Sequence, residues 1–157
     1  MDLLSSCDWY IVYDIIETII DKLKQSEKEN FSNEINEYFI TNGIGWKIVD
    51  GQIETRGDEV FETSVETVVE VLQTAELKTA KTEIREAIND LSRRPHPDIT
   101  GAIQNSLACL ECVTREFTGD TKSTLGDLMK KFPRAIPLPL DQAVTKIWGL
   151  LLNKADT

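Results

Sequence analysis

The stretch Trp46-Lys47-Ile48-Val49-Asp50-Gly51-Gln52-Ile53-Glu54-Thr55 decides how the rest of the chain can be interpreted. Asp-Gly flanked by alternating apolar and polar residues is the strongest short-range signal for a β-hairpin. With Asp-Gly as a two-residue turn, the expected cross-strand pairs are Trp46 with Thr55, Lys47 with Glu54, and Ile48 with Ile53. We expect one face of this ribbon to dock on helices and the other to face water.

Outside the ribbon, apolar residues recur every three or four positions, which is the spacing of one face of a helix. The clearest row starts at Trp9 and reaches Leu23. A second row follows a polar break at 26–30 and stops at Asn42-Gly43, a good left-handed helix end. Further rows run over residues 61–72, 77–91, 99–117, 125–132 and 140–151. The sequence therefore predicts about seven helices beside one hairpin.

The predicted architecture is an all-α, up-and-down helical bundle. Helices with one apolar face bury it against other helices, and short connections favour antiparallel neighbours. A chain of 157 residues falls in the size range of one domain. We expect a single domain over 1–157, with N-terminal helices and the hairpin in 1–75 and a helical core in 76–157.

The composition and charge of the chain indicate which partners and which cellular location to expect. The formal net charge is −10 and the acidic residues are spread along the chain, which argues against broad non-specific binding to nucleic acid. Three cysteines make an odd count, and no secretory signal pattern precedes the first helix, so reduced thiols and a cytoplasmic location are expected. No apolar run approaches the roughly 20 residues that cross a bilayer, so no membrane association is expected.

Candidate chemistry is sparse. His96 is the only histidine, which excludes a multi-histidine metal site, and Arg93 and Arg94 precede it in a proline-rich loop. These three residues are the available catalytic candidates, although a helix-capping or surface role is the simpler interpretation. Cys109 and Cys112 have CxxC spacing inside a predicted helix, where small packing residues are the simpler interpretation. We expect no metal and no small-molecule cofactor.

The order of these features resembles that of a known family. Residues 42–53, NGIGWKIVDGQI, look like the hairpin of AbiJ-type abortive-infection proteins. Later segments similar to that family lie at 94–98, 103–119, 123–126 and 139–149. The resemblance extends from about Trp9 to Gly149.

The resemblance implies a HEPN-like helical domain (higher eukaryotes and prokaryotes nucleotide-binding), a class that dimerises, includes toxin–antitoxin members, and in active members cuts RNA through an Arg-x4-6-His motif. This sequence departs from that pattern, because no Arg or His follows Arg134. The resemblance therefore implies a dimerisation or partner-binding module of antiphage defence that does not cut. The alternative is a metal-independent RNase toxin with non-standard active residues, carried by His96, Arg93 and Arg94.

The last apolar residues suggest where a partner would bind. Trp148, Leu151 and Leu152 would be exposed on a helix that lacks a following partner, so we expect them at a homodimer or protein-partner interface. The alternative is that the leucines there complete the core. RNA remains a possible further partner.

Overall fold

The computed structural model describes the backbone of residues 6–152 and the side chains as far as Gly149. This part of the chain contains seven helices and two strands. They are α1 (Trp9–Lys22), α2 (Gln25–Thr41), β1 (Trp46–Val49), β2 (Gln52–Thr55), α3 (Glu59–Thr74), α4 (Lys78–Leu91), α5 (Ile99–Thr118), α6 (Leu125–Lys131) and α7 (Leu140–Leu152). The predominantly helical fold with one small hairpin is confirmed.

The chain divides into two compact units. The first contains the residues up to Val65 together with Ile88–Asp98, and the second contains Glu66–Ala87 together with the residues from Ile99 onwards. The single-domain organisation and the arrangement of all helices in one bundle stay predictions. None of the helices in the described part is both long and apolar enough to cross a bilayer.

The hairpin is the centre of the first unit, and its predicted register is confirmed. The observed pairs are Trp46 with Thr55, Lys47 with Glu54, Ile48 with Ile53, and Val49 with Gln52. Asp50 and Gly51 both have positive φ, 51° and 85°, as a two-residue hairpin turn requires. Ile48 and Ile53 are buried together with Ile20 of α1, so the inward face of the ribbon forms the core of this unit.

The prediction of a solvent-facing second face is wrong. Glu54 is buried, and Lys47 forms an ion pair with Glu62 in the first turn of α3, where both side chains are only 18% exposed. The pattern of alternation within the ribbon carries no information about α3, whose first turn supplies the partner of Lys47. Lys47 and Glu54 are therefore largely withdrawn from solvent on this face, whereas Gln52 stays exposed.

The predicted break at 26–30 is also wrong, because those residues belong to α2. The chain is extended at Leu23 and Lys24 instead, and the backbone N–H of Lys24 donates to the Glu27 carboxylate, 3.2 Å away. This contact satisfies a backbone donor at the start of α2, so a polar first turn can be helical. The predicted end at Gly43 is confirmed by its φ of 66°.

The second unit is built on two apolar clusters. In one, Leu72 and Ala80 pack with Cys109 of α5. In the other, Leu107 of α5 packs with Leu125 of α6 and with Ile136. These clusters bring α3 and α4 residues, and separately α6 and α7, against the long helix α5.

At the starts of α6 and α5, the sequence alone indicates Ser123 as an N-cap and Pro97 as a first helical residue, and both indications are wrong. Ser123 does not cap α6; Thr124 does, with its hydroxyl accepting from the Asp127 N–H, while Ser123 donates to the Asp120 carboxylate. Pro97 does not open α5 at its first position, since the helix begins at Ile99. The two candidate caps of α6, Ser123 and Thr124, are adjacent, so spacing alone does not distinguish them.

Candidate functional site

The outer edges of the hairpin are closed by side chains rather than by further strands. At the Ile48–Ile53 pair the backbone groups of both residues point away from the partner strand and need other partners. On the β1 side, the Asn36 side chain of α2 supplies them. Its carbonyl oxygen accepts from Ile48 N–H at 2.7 Å, and its amide donates to Ile48 C=O at 3.0 Å.

The β2 edge is closed by Glu17 of α1 and Arg94 of the loop after α4. The Glu17 carboxylate accepts from Ile53 N–H at 2.7 Å, and Arg94 donates to Ile53 C=O at 3.1 Å. Arg94 also donates to the second oxygen of Glu17 at 2.7 Å, which closes a ring of three hydrogen bonds. Ser92 accepts from Thr55 N–H at 2.8 Å further along the same edge.

Arg94 is the most heavily engaged side chain in this unit. Besides Glu17 it pairs with Asp14 at 3.1 Å, and its guanidinium carbon lies 5.8 Å and 5.9 Å from the ring centroids of Trp46 and Tyr13. The side chain is 11% exposed. Charge-assisted hydrogen bonds of this kind are among the stronger polar contacts in proteins. A phosphate group would have to displace two carboxylates to reach this guanidinium.

The other two catalytic candidates lie apart from that ring. Arg93 is 60% exposed and pairs with Asp90 at 2.7 Å and with Asp98 at 3.2 Å. His96 is exposed in the same loop. The two adjacent arginines therefore make different contacts. Arg94 binds the hairpin edge, whereas Arg93 pairs with Asp90 and Asp98 at the two ends of its own loop.

A polar hollow of about 290 Å³ lies beside the β2 edge. Its walls include the carboxylates of Asp14, Glu17 and Glu54 together with the guanidinium groups of Arg93 and Arg94. Three acidic groups facing two already paired cations give no excess positive charge. Binding of an RNA phosphate needs such an excess, so the hollow is poorly suited to it.

Trp148, the predicted interface residue, lies in the second unit. It is partly buried, packs beside the cluster of Leu107, Leu125 and Ile136, and lines an open cavity of about 530 Å³. Its indole nitrogen is 3.6 Å from where a Cβ on Gly126 would be, so α7 passes close to α6 there. The other predicted interface side chains, Leu151 and Leu152, lie outside the described residues.

The two α5 cysteines occupy packing positions. Cys109 is buried beside Leu72 and Ala80, and burial, with Cys112 and Glu83 nearby, raises the pKa of its thiol to about 11. Burial also raises the pKa of Cys112. Nucleophilic cysteines need a lowered thiol pKa, so the geometry favours the structural interpretation of this CxxC pair.

Glu17 and Asn36 are the site residues that sequence reasoning missed. Most of the 27 acidic residues of the chain are expected to face solvent, and no motif singles out Glu17 among them. In the sequence, however, it falls next to Tyr13, Ile16 and Ile20 on the core-facing side of α1. A carboxylate on an apolar face needs a partner, since burying an unpaired charge is costly. The position of Glu17 on the apolar face therefore indicates that its carboxylate has a partner, although the sequence does not identify that partner.

Comparison with known proteins gives one family match. Residues 1–71 match the family model described as AbiJ N-terminal domain 4. No curated protein and no solved structure matches the chain. Residues 1–71 are thus similar to an AbiJ N-terminal domain, and over these residues the resemblance to AbiJ-type abortive-infection proteins noted in the sequence is confirmed.

The family match covers only some of the residues that close the edges of the hairpin. Glu17, Asn36 and the whole ribbon fall inside the matched residues, whereas Ser92 and Arg94 fall beyond them. The β2 edge is thus closed partly by a segment outside the matched domain. Residues 88–98 return to the first unit to provide that closure.

Proposed function

We propose that this chain acts in abortive-infection defence as a HEPN-like helical domain that dimerises or binds a protein partner and does not cut RNA. The AbiJ match over residues 1–71 supports the defence role. The resemblance of the later segments to AbiJ-type proteins supports the HEPN-like fold. The observation that carries the non-catalytic part is the engagement of Arg94 by Glu17, Asp14 and the Ile53 carbonyl.

RNA cleavage needs a group that transfers protons and a cation that stabilises charge developing on the phosphoryl oxygens. His96 is the only candidate for the first role. For the second, Arg94 is held by two carboxylates at the hairpin edge, and Arg93 is held by Asp90 and Asp98. Each guanidinium would have to lose its present partners before it could act on a phosphodiester.

Support for a binding role comes from apolar surface in the second unit. Leu140 and Ile147 of α7 are exposed, as is Phe132 at the end of α6. Phe132 and Trp148 both line the open cavity of this unit. Exposed apolar groups gathered around a concave surface are typical of protein contact sites.

The catalytic question is tested by incubating the purified chain with total RNA beside a His96→Ala variant prepared in the same way. We expect no cleavage above that of the variant. Cleavage by the wild type that disappears in His96→Ala would overturn the proposal and favour the RNase alternative. An Arg94→Lys variant distinguishes a catalytic from a structural role of Arg94. If the role is structural, the substitution changes the unfolding midpoint of the chain and leaves RNA intact.

The defence role is tested by phage plating on cells that express the chain. We expect His96→Ala to protect as well as the wild type and Trp148→Asp to lose protection while still folding. Loss of protection in His96→Ala, with Trp148→Asp unaffected, would contradict the binding proposal.

A further inference from the structure

Several aromatic side chains meet where α1 begins, within the first unit. We call them the aromatic cluster, and its members are Trp9, Tyr10, Tyr13 and Trp46. The centroid of the Trp9 ring lies 5.8 Å from that of Tyr13 and 6.0 Å from that of Trp46. Even so, Trp9 is 50% exposed. The outer part of the aromatic cluster therefore presents a large ring surface to solvent.

The inner part of the aromatic cluster already holds a guanidinium group. The guanidinium carbon of Arg94 lies 5.8 Å from the ring centroid of Trp46 and 5.9 Å from that of Tyr13. These distances are within the roughly 6 Å at which an aromatic ring attracts a cation. The Asp14 carboxylate pairs with the same guanidinium at 3.1 Å. Arg94 thus shows that these rings, with a carboxylate beside them, can receive an arginine side chain.

Carboxylates also lie beside the exposed part of the aromatic cluster. Asp8 precedes α1 as its N-cap residue, yet among the described residues its carboxylate accepts from the Tyr10 hydroxyl at 3.1 Å and not from the backbone of the first turn. Asp14 lies one turn after Tyr10 on the same side of the helix, and its side chain is 55% exposed. A cation held against the exposed ring of Trp9 would therefore lie near a carboxylate.

The net charge of the chain is concentrated in the unit that contains the aromatic cluster. The first unit has 16 acidic and 7 basic residues, a net charge of −9, whereas the second has 11 acidic and 10 basic residues, a net charge of −1. A strongly negative unit attracts positively charged segments at long range and repels the phosphates of RNA, and salt screens both effects. The charge therefore favours a basic protein segment as the partner of this unit.

We propose that the aromatic cluster binds an arginine side chain in a basic segment of a protein partner. The guanidinium lies against the exposed ring of Trp9 and pairs with the Asp8 carboxylate. Arginine suits this position better than lysine, because a guanidinium is planar, stacks on aromatic rings and is more weakly hydrated than an ammonium group. The inference rests on the proposed binding function and names a contact surface and the chemistry of its partner.

Peptide titration of the full chain tests the chemistry of the ligand. The probe is a flexible Gly-Ser peptide with several arginines, and its control has citrulline, which is similar in shape but uncharged, at each arginine position. The chain has three tryptophans, whose indole N–H groups give separate nitrogen-15 NMR signals. We expect the arginine peptide to shift the signal of Trp9 and to leave that of Trp148, in the second unit, unchanged.

Three results of this titration would overturn the proposal. The first is an equal shift of the Trp9 signal by the citrulline peptide, and the second is equal affinity for a lysine version of the peptide. The third is a shift of the Trp9 signal by an oligouridine and not by the arginine peptide, which would instead favour stacking of a nucleobase on the ring.

Substitutions test the residues assigned to the contact. Trp9→Leu should weaken binding of the arginine peptide about two- to fivefold, as expected for a cation–π contact at an exposed site, and Trp9→Phe, which keeps a ring, should weaken it less. Asp8→Asn should also weaken binding. Its matched control is Glu29→Gln, which removes the same charge at a hollow that Ile20 lines, near the other end of α1.

The comparison with the control separates a local contact from general charge attraction. Asp8→Asn should weaken binding more than Glu29→Gln does, and urea unfolding midpoints check that each variant is folded. Equal effects of these two substitutions, or unchanged affinity of Trp9→Leu, would overturn the proposal. If the arginine peptide does not bind a chain that protects against phage and leaves RNA intact, only this inference fails. RNA cleavage by a chain that binds the peptide through Trp9 would overturn only the proposed function.

Discussion

The hairpin of the first unit and the junction of α5 with α6 in the second unit differ in the balance between polar and apolar contacts. The junction also has polar closure, since the Glu111 carboxylate accepts from Leu125 N–H at 2.7 Å and Arg115 donates to Ser123 C=O at 2.9 Å. A two-stranded hairpin alone is at best marginally stable in water. Here its outward backbone groups are satisfied by Asn36 on one edge and by Glu17 with Arg94 on the other. At the α5–α6 junction the central contacts are apolar, and Leu125 is completely buried.

This difference predicts which substitutions each region tolerates. The polar clamp of the hairpin consists of Asn36 on the β1 edge and of Glu17 with Arg94 on the β2 edge. Such a clamp depends on the position and charge of a few atoms, so a substitution that preserves volume can break it. An apolar cluster depends on filled volume, so a polar change at its rim matters less than the loss of methyl groups inside it. Isosteric substitutions should therefore cost most at the residues that close the backbone edges, and truncating substitutions should cost most inside the apolar clusters.

The largest effect is expected from truncation in the apolar cluster. Leu125→Ala removes methyl groups from a fully buried position and should lower the free energy of unfolding by about 2–5 kcal/mol, measured by urea denaturation. Leu138→Ala, at a largely exposed leucine, should change it by less than about 0.5 kcal/mol. Equal effects of the two would show that the cluster is not packed as described.

A smaller effect is expected from the β1 clamp. Asn36→Ala leaves the N–H and C=O of Ile48 without their present partners and should cost about 1–3 kcal/mol of unfolding free energy. The control is Asn33→Ala, at an exposed position of the same helix, which should be nearly neutral. If both substitutions were neutral, side-chain closure of the hairpin edge would not contribute to stability.

The smallest effect concerns reactivity and not stability. With its pKa raised to about 11, the Cys109 thiol should have roughly 100-fold less thiolate at pH 8 than an ordinary cysteine, so it should react slowly with a disulfide reagent. The rate should rise as pH increases toward that pKa, and denaturation should abolish the protection. Equal rates in native and unfolded protein would contradict the burial of this thiol.

Much of the fold is readable from local sequence. The Asp-Gly turn determines the register of the ribbon, and apolar spacing locates the helices, because both signals lie within a few residues of the structure they specify. The polar clamp is different. Glu17 and Arg94 are 77 positions apart, and with 27 acidic residues in the chain no local pattern selects this pair. The ion pair of Lys47 with Glu62 of α3 is likewise a tertiary contact that the alternation of residues in the ribbon does not predict.

The central claim is that Arg94 closes the hairpin edge together with Glu17. A double-mutant cycle of Glu17→Gln, Arg94→Gln and the double variant measures their coupling directly through unfolding free energies. We predict a coupling of about 1–3 kcal/mol, since each substitution leaves the other group without its charged partner. Additive effects, with coupling below about 0.5 kcal/mol, would contradict the account and leave Arg94 available for another role.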